Sequence, residues 1–113
     1  MIVSDKTGSP HYTWGQNCDG WRLLDSPSLS VIHERMPAGT REQKHYHEKA
    51  QQFFFVLSGE AEFYFEKETI TVRAQQGLHI AAGTPHFIAN ESEDAIEFLV
   101  ISEPSTKGDR REV

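Results

Sequence analysis

A chain of 113 residues with 37% hydrophobic and 25% charged side chains has the size and composition of one globular domain with a single core. Its 17 acidic residues outnumber its 11 basic ones, giving a net charge of −6, so no basic face is available for the phosphates of a nucleic acid. No stretch approaches the ~20 apolar residues of a transmembrane helix, and neither nucleic acid nor membrane is a predicted partner.

The N-terminus and the cysteine content indicate the compartment. Residues 1–6 lack the charged and apolar regions of a signal peptide. Cys18 is the only cysteine, so no intrachain disulfide can form, and a lone thiol suits a reducing environment. We therefore expect a cytoplasmic protein.

Short apolar or alternating runs, each ended by turn-forming residues, dominate the chain. Residues 1–28 are interpreted as an N-terminal arm with one or two short strands, which packs on the barrel or on a dimer partner. Residues 103–113 are polar and are expected to form a surface tail. Between them, residues 29–102 contain predicted strands at 29–36, 51–57, 61–65, 69–72, 78–82, 87–89 and 95–101. This spacing predicts an all-β sandwich or barrel.

Histidines cluster at two places. His45 and His47 are two residues apart, so on a strand their imidazoles point to the same face. One of the glutamines at 51 and 52 could join them after a turn, and His86 comes from a distant segment. Three imidazoles and an oxygen donor suit one divalent transition metal, namely Fe, Mn, Ni, Co, Cu or Zn. The alternative is a set of polar surface histidines.

The segment around the first pair resembles the first motif of the cupin superfamily. Gly39, His45, His47 and Gly59 match the spacing of that motif, and Gln52 stands where the family usually has a glutamate ligand. Some small cupins carry glutamine at this position, including ones that act on unsaturated uronic acids. The amide leaves the choice of metal and the reaction open.

The segment ending at Asn90 resembles the second cupin motif. Gly83, His86 and Asn90 fall at matching positions, while Gln75 stands in place of the early glycine. Together the motifs cover roughly residues 29–101. The resemblance implies a double-stranded β-helix barrel, usually dimeric, with a metal in its mouth held by His45, His47, Gln52 and His86.

Alternation along the strand at 29–36 suggests a catalytic group. If Ile32 and Met36 face the barrel interior, Glu34 does too, and a buried carboxylate near the metal could act as a general base. The alternative is a strand-end glutamate in solvent or in an ion pair. His79 lies between two apolar residues and is expected to point outward.

The remaining aromatic and sulfur residues are expected to serve packing. Trp14 and Trp21 are interpreted as covering the open side of the barrel or a dimer partner, with pocket lining as the alternative for one of them. His11 lies in the arm and is not an expected ligand. Cys18 has no histidine partner that the sequence places beside it.

One predicted strand carries apolar residues on both faces. With Gln52 and Phe54 inward, Phe53, Phe55 and Leu57 point outward, and three exposed apolar residues on one strand would be an aggregation hazard. We therefore predict a symmetric homodimer, the commonest oligomer.

The leading functional hypothesis is a metal-dependent enzyme acting on a small, oxygen-rich organic substrate by isomerisation, ring opening, dioxygenation or decarboxylation. The second is a non-catalytic module that binds or senses a small molecule, and the third is a metal-free structural barrel. Inward ionisable groups beside the metal, from among Glu34, Arg35 and Arg41, would favour catalysis.

Overall fold

A computed structural model describes all 113 residues and consists of β-strands joined by turns and loops. The strands are β1 (His11–Trp14), β2 (Cys18–Asp25), β3 (Ser30–Met36), β4 (His45–His47), β5 (Gln51–Ser58), β6 (Glu60–Tyr64), β7 (Thr69–Arg73), β8 (Gly77–Ile80), β9 (Phe87–Ala89), β10 (Ile96–Glu103) and β11 (Arg110–Glu112). No helix is long and apolar enough to cross a membrane. All seven strands predicted between residues 29 and 102 are present.

The strands form the two faces of a flattened barrel. One face is a six-stranded antiparallel sheet in the order β1-β2-β3-β10-β5-β8. The other combines the pair β11-β4 with the sheet β7-β6-β9, which are joined by isolated bridges between Arg41 and Ala89 and between His45 and His86. This arrangement confirms the predicted all-β, double-stranded β-helix fold.

The apolar core fills the space between the faces. Phe54 and Val56 of β5 are 4% and 0% exposed, whereas Phe53 is 40% exposed, as strand alternation requires. Gln52 shares the inner side with Phe54 and is 7% exposed. The register of this strand is therefore the one that the sequence predicted. The largest fully buried side chains are Phe63, Phe98, Met36, Ile88 and Ile96.

Both terminal segments are part of the barrel. β1 and β2 extend the six-stranded sheet beyond β3, and β11 pairs with β4 along its whole length. The Asp109 carboxylate accepts backbone hydrogen bonds from Lys49, at 3.1 Å and 3.2 Å, and from Ala50 at 3.0 Å. Residues 103–113 thus contain a strand paired with β4 and a carboxylate that accepts backbone hydrogen bonds, and neither contact can be inferred from their polarity. The boundaries at residues 28 and 102 stay a prediction.

Two turns carry residues with positive φ that bear on the motif resemblance. Gly59 has a φ of 85°, and a Cβ there would lie 2.7 Å from Cγ2 of Ile96, so only glycine fits. Gln75 has a φ of 69°, a left-handed conformation that strains a side chain of its type. The strain explains why the resembling motif has glycine at this position.

Candidate metal centre and cavity

A cavity of about 310 Å³ lies between the two faces, beside the apolar core. Phe54 and Val100 belong to both the core and the cavity wall. Strands β1 to β5, β10 and the C-terminal segment each contribute lining residues. The cavity is therefore built by the central motifs and by both ends of the chain.

Three histidines meet next to this cavity. The ring centroids lie 4.6 Å apart for His45 and His86, 5.0 Å for His45 and His47, and 6.4 Å for His47 and His86. Two backbone hydrogen bonds between His45 and His86, of 3.0 Å and 2.9 Å, bring the distant segment to β4. The structure thus brings together the three histidines that the sequence singled out.

Backbone carbonyls fix which ring nitrogen is protonated. Nδ1 of His45 donates to the Gln43 carbonyl and Nδ1 of His86 donates to the Thr84 carbonyl, each at 2.8 Å, because a carbonyl can only accept. The lone pair of each ring is then on Nε2. Such a second hydrogen bond is the usual means of orienting a metal-binding imidazole.

Burial keeps these rings neutral. Loss of hydration lowers the pKa of His45 to about 3 and that of His47 to about 4, and it also lowers the pKa of His86. A neutral imidazole is the form that binds a metal.

Several buried atoms that could donate a lone pair have no partner in the protein. Nε2 of His86, Nδ1 of His47 and Oε1 of Gln52 are all buried and make no hydrogen bond. The amide nitrogen of Gln52 donates to Oγ of Ser102 at 3.1 Å, which leaves its oxygen free. Unpaired buried acceptors are costly, and a metal cation bound among these residues would satisfy the ones that coordinate it. The residues present therefore fit a divalent metal.

Glu42 is a further possible ligand that sequence reasoning missed. One oxygen of Glu42 and one nitrogen each of His45 and His86 all lie within 4.8 Å of one another. Oε1 of Glu42 accepts the Ile88 N–H at 3.1 Å, and Oε2 lies 3.8 Å from Arg110. Burial, reinforced by the charge of Glu34, raises the pKa of Glu42 to about 8. No periodicity marks Glu42, because it lies in the loop before β4.

Glu34 lines the cavity, as alternation along β3 predicted. Its Oε2 accepts a hydrogen bond from the Tyr12 hydroxyl at 2.9 Å. Burial raises the pKa of Glu34 to about 7, although the hydrogen bond from Tyr12 opposes the shift. Gly20 makes this contact possible, since a Cβ there would lie 2.2 Å from the Tyr12 ring.

The other candidate residues lie away from the metal cluster. Trp14 lines the cavity, whereas Trp21 lies between the rings of His11 and His33, and Cys18 is buried in the core. Each remaining histidine has a polar partner: His11 contacts Asp19 at 2.8 Å, His33 contacts Glu97 at 2.7 Å and His79 contacts Gln51 at 2.9 Å. The two arginines that were considered as inward groups form ion pairs, Arg35 with Asp19 and Arg41 with Glu91, each at 3.8 Å.

The sequence reasoning also missed the other polar groups of the cavity. Tyr12 and Arg22 come from β1 and β2, and Lys107 and Arg110 come from the C-terminal segment. The alternation of Tyr12 with Trp14 along β1 was a usable signal. No signal of this kind exists for residues 107 and 110, because their position depends on pairing between β11 and β4.

Comparison with protein families matches residues 32–102 to the family described as "Cupin domain". Among curated proteins, the polyketide synthase CurC of Streptomyces cyaneus is 34% identical over 59 residues. That alignment spans 52% of this chain and only 38% of CurC.

Solved structures share the fold over nearly the whole chain. The polyketide cyclase RemF of Streptomyces resistomycificus superposes with a TM-score of 0.85 at 17% identity, covering 100% of this chain and 85% of RemF. A histidine-to-glutamine variant of Streptomyces Pac13 with uridine gives 0.83 at 17% identity, covering 100% of this chain and 91% of Pac13, which is described as a nucleoside dehydratase. A predicted oxalate decarboxylase from Thermotoga maritima gives 0.82 at 18% identity, covering 93% and 100%. At such identities the likeness shows the fold alone.

Proposed function

The chain belongs to the cupin family, and from the chemistry of its cavity we propose that it is a metal-dependent enzyme that moves protons on a small, oxygen-rich organic substrate. Isomerisation, ring opening, cyclisation and elimination belong to this class of reaction. The observation that carries the proposal is a half-buried carboxylate, Glu34, held by Tyr12 in the same cavity as an unsatisfied cluster of metal-type donors.

Cupins often bind a metal, and this chain has a possible site for one. We propose His45, His47, Gln52 and His86 as the ligands, with Glu42 as an additional or replacing one. When bound, a divalent ion would act as a Lewis acid that polarises a hydroxyl, carbonyl or carboxylate oxygen. A site of three neutral imidazoles and a neutral amide would leave the full +2 charge of the ion for that purpose.

Glu34 is proposed as the general base. A base works best when its pKa lies near the working pH, and burial brings the pKa of Glu34 to about 7. The Tyr12 hydroxyl holds Oε2, so Oε1 is left to accept a proton from a carbon or hydroxyl of the substrate and to return it to another atom. Tyr12 therefore positions the base. Burial and the neighbouring carboxylate also raise the pKa of Tyr12, which keeps its hydroxyl a donor.

A cavity built only for binding has no need of a carboxylate with a pKa near neutrality, which favours catalysis over sensing. Of the three ionisable residues expected to decide this question, Glu34 alone lines the cavity. The names of two similar structures, a polyketide cyclase and a nucleoside dehydratase, give further support, since both reactions need acid–base catalysis.

The metal site can be tested by titrating the chelator-treated protein with Co²⁺ and following visible absorption. We expect saturation at one ion per chain, with His47→Ala and Gln52→Ala weakening binding while the far-ultraviolet spectrum of the barrel is kept. His79→Ala, on the outer surface, is the matched control and should bind like the wild type. Absence of a saturable cobalt spectrum would overturn the proposed site.

The catalytic step can be tested by following deuterium uptake from D₂O into a panel of keto acids and uronic acids by NMR. The wild type should accelerate exchange of at least one compound, and Glu34→Gln should lower that rate by about 10²–10⁴-fold. Glu68→Gln, an exposed surface carboxylate, should leave it unchanged. A wild type that binds metal but exchanges nothing faster than buffer would reject the enzyme and favour the binding module.

A further inference from the structure

Arg22 occupies the last inward-facing position of β2 before a break in strand pairing. It lies opposite Ile32 of β3, and the register then shifts so that Leu24 lies opposite Val31. The extra residue turns the strand over, because a bulge moves the following side chains to the other face. Arg22 therefore lines the cavity, whereas Leu24 is 43% exposed.

The guanidinium of Arg22 has no anionic partner in the chain. Its Cζ lies 4.6 Å from the centroid of the Tyr12 ring, and it joins none of the ion pairs within 4.0 Å. The other two cations of the cavity are paired, Arg110 with Glu42 at 3.8 Å and Lys107 with Asp25 at 3.3 Å. Arg22 is thus the one cavity cation without a carboxylate within 4.0 Å, although its charge opposes the rise in the pKa of Glu34 that burial causes.

The charge balance of the cavity runs against that of the whole protein. The chain carries a net charge of −6, yet three cations line the cavity against two carboxylates, Glu34 and Glu42. The Tyr12 hydroxyl stabilises one of these carboxylates, and the Ile88 N–H and Arg110 stabilise the other. Because Lys107 and Arg110 are paired with carboxylates, the positive charge left to attract an anion into this concave site is that of Arg22.

From this geometry we infer that Arg22 binds a carboxylate group of the substrate, which makes the substrate an organic acid. The inference rests on the proposed function only in taking this cavity as the substrate site. A carboxylate is favoured because the planar fork of a single guanidinium matches its two oxygens. A cation–π contact of 4.6 Å with the Tyr12 ring holds the guanidinium at this wall of the cavity. The volume of the cavity, about 310 Å³, suits a small organic acid.

The position of Arg22 also orients the substrate. Tyr12 contacts the guanidinium with its ring and Oε2 of Glu34 with its hydroxyl. An acid held by Arg22 is therefore held beside the base, across the width of one tyrosine ring. The residues that fix this spacing, Tyr12, Gly20 and Arg22, all precede the segment 32–102 that matches the cupin domain. Substrate choice would then be set outside that domain.

Binding of benzoate, with benzamide as its neutral match, tests the inference on chelator-treated protein. Chelation removes any contribution of a metal to carboxylate binding. The indole N–H signal of Trp14, which lines the cavity, reports binding in ¹⁵N NMR titrations, and that of Trp21 on the outer face is the internal control. We expect benzoate to shift the Trp14 signal saturably and benzamide to bind at least about tenfold more weakly.

Substitution of Arg22 completes the test. Arg22→Gln should weaken benzoate binding by at least about tenfold, and Arg22→Lys should recover part of it because the charge remains while the fork is lost. Arg73→Gln removes an exposed arginine of β7 and should change nothing. Equal affinity of wild type and Arg22→Gln, equal binding of benzamide, or no benzoate binding at all would overturn the inference. Any of these results together with normal cobalt binding and deuterium exchange would reject the anchor while keeping the proposed function.

Discussion

Replacing Glu34 by glutamine should stabilise the protein at alkaline pH more than at acidic pH. At each pH, stability means the free energy of unfolding of the variant compared with that of the wild type. The substitution keeps the size of the side chain and an oxygen that can accept the Tyr12 hydroxyl hydrogen bond of 2.9 Å. It removes the negative charge of this half-buried group. The difference between the two proteins therefore reports the free energy of ionising Glu34 in the folded state together with its effect on Glu42.

The magnitude follows from the pKa. Burial raises the pKa of Glu34 from 4.5 in the unfolded chain to about 7 in the fold, which corresponds to about 3 kcal/mol. Between these values the folded state binds more protons than the unfolded state, so the contribution to stability is fully present below pH 4.5 and is lost as the pH rises through 7. Glutamine does not titrate, so the variant does not lose this stability as the pH rises. Between pH 4.5 and pH 8, the free energy of unfolding of the variant should therefore increase by about 3 kcal/mol relative to that of the wild type.

Urea unfolding followed by circular dichroism from pH 4.5 to 8, with chelator present, measures this difference. A gain of that size corresponds to about 10 °C in melting temperature for a domain of this length. The charge of Glu34 also raises the pKa of Glu42, so its removal adds to the gain in the same direction. Glu68→Gln should parallel the wild type. If the difference in the free energy of unfolding between Glu34→Gln and the wild type stayed constant across this pH range, Glu34 would titrate like an exposed carboxylate. The argument for a general base with a pKa near 7 would then fail.

Three further outcomes are expected. Asp109→Asn should lower the free energy of unfolding in urea by about 2 kcal/mol and weaken cobalt binding, because the carboxylate fixes the turn between His47 and Gln52. An unchanged affinity for cobalt would refute this positioning role. Gln75→Gly should raise stability by about 1 kcal/mol by relieving its φ of 69°, and a destabilised variant would contradict that strain. Light scattering at micromolar concentration should give a homodimer that covers Phe53, 40% exposed in the single chain; a monomer would disprove it.

Sequence patterns were sufficient to predict which side chains share a face wherever that depends on a single strand. Alternation put Gln52 and Phe54 on one face and Phe53 on the other, and the resemblance to the first cupin motif identified the face with Gln52 as the inner one, as the structure has it. The same reasoning brought Glu34 to the cavity. The meeting of His86 with the other histidines needed more, because two distant segments had to be paired. Resemblance to the two cupin motifs supplied that pairing, which no local pattern contains.

Sequence patterns failed where tertiary pairing turns an ordinary polar residue into a cavity residue. Arg110 looks like one charge in a polar tail, and only the pairing of β11 with β4 brings it beside Glu42. Glu42 itself lies in a loop without periodicity. Arg22 could have been placed inward by counting from Cys18 along β2, but the bulge that ends this alternation at Leu24 is visible only in the strand register.

Two of these missed residues, Arg22 and Arg110, lie outside the part of the chain that matches the cupin domain, which bears on how the protein would acquire its specificity. The proposed metal ligands all lie within residues 32–102, the part that matches the cupin domain. Three cations and the tyrosine that holds the base come from outside that part, on β1, β2 and the C-terminal segment. Because β11 pairs with β4, which carries His45 and His47, a change in the C-terminal segment would alter both the substrate wall and the support of the metal. A change in β1 or β2 would alter the substrate wall alone. Substitutions at Arg22 should therefore change which acid is bound while the affinity for cobalt stays constant, whereas substitutions at Asp109 should change both.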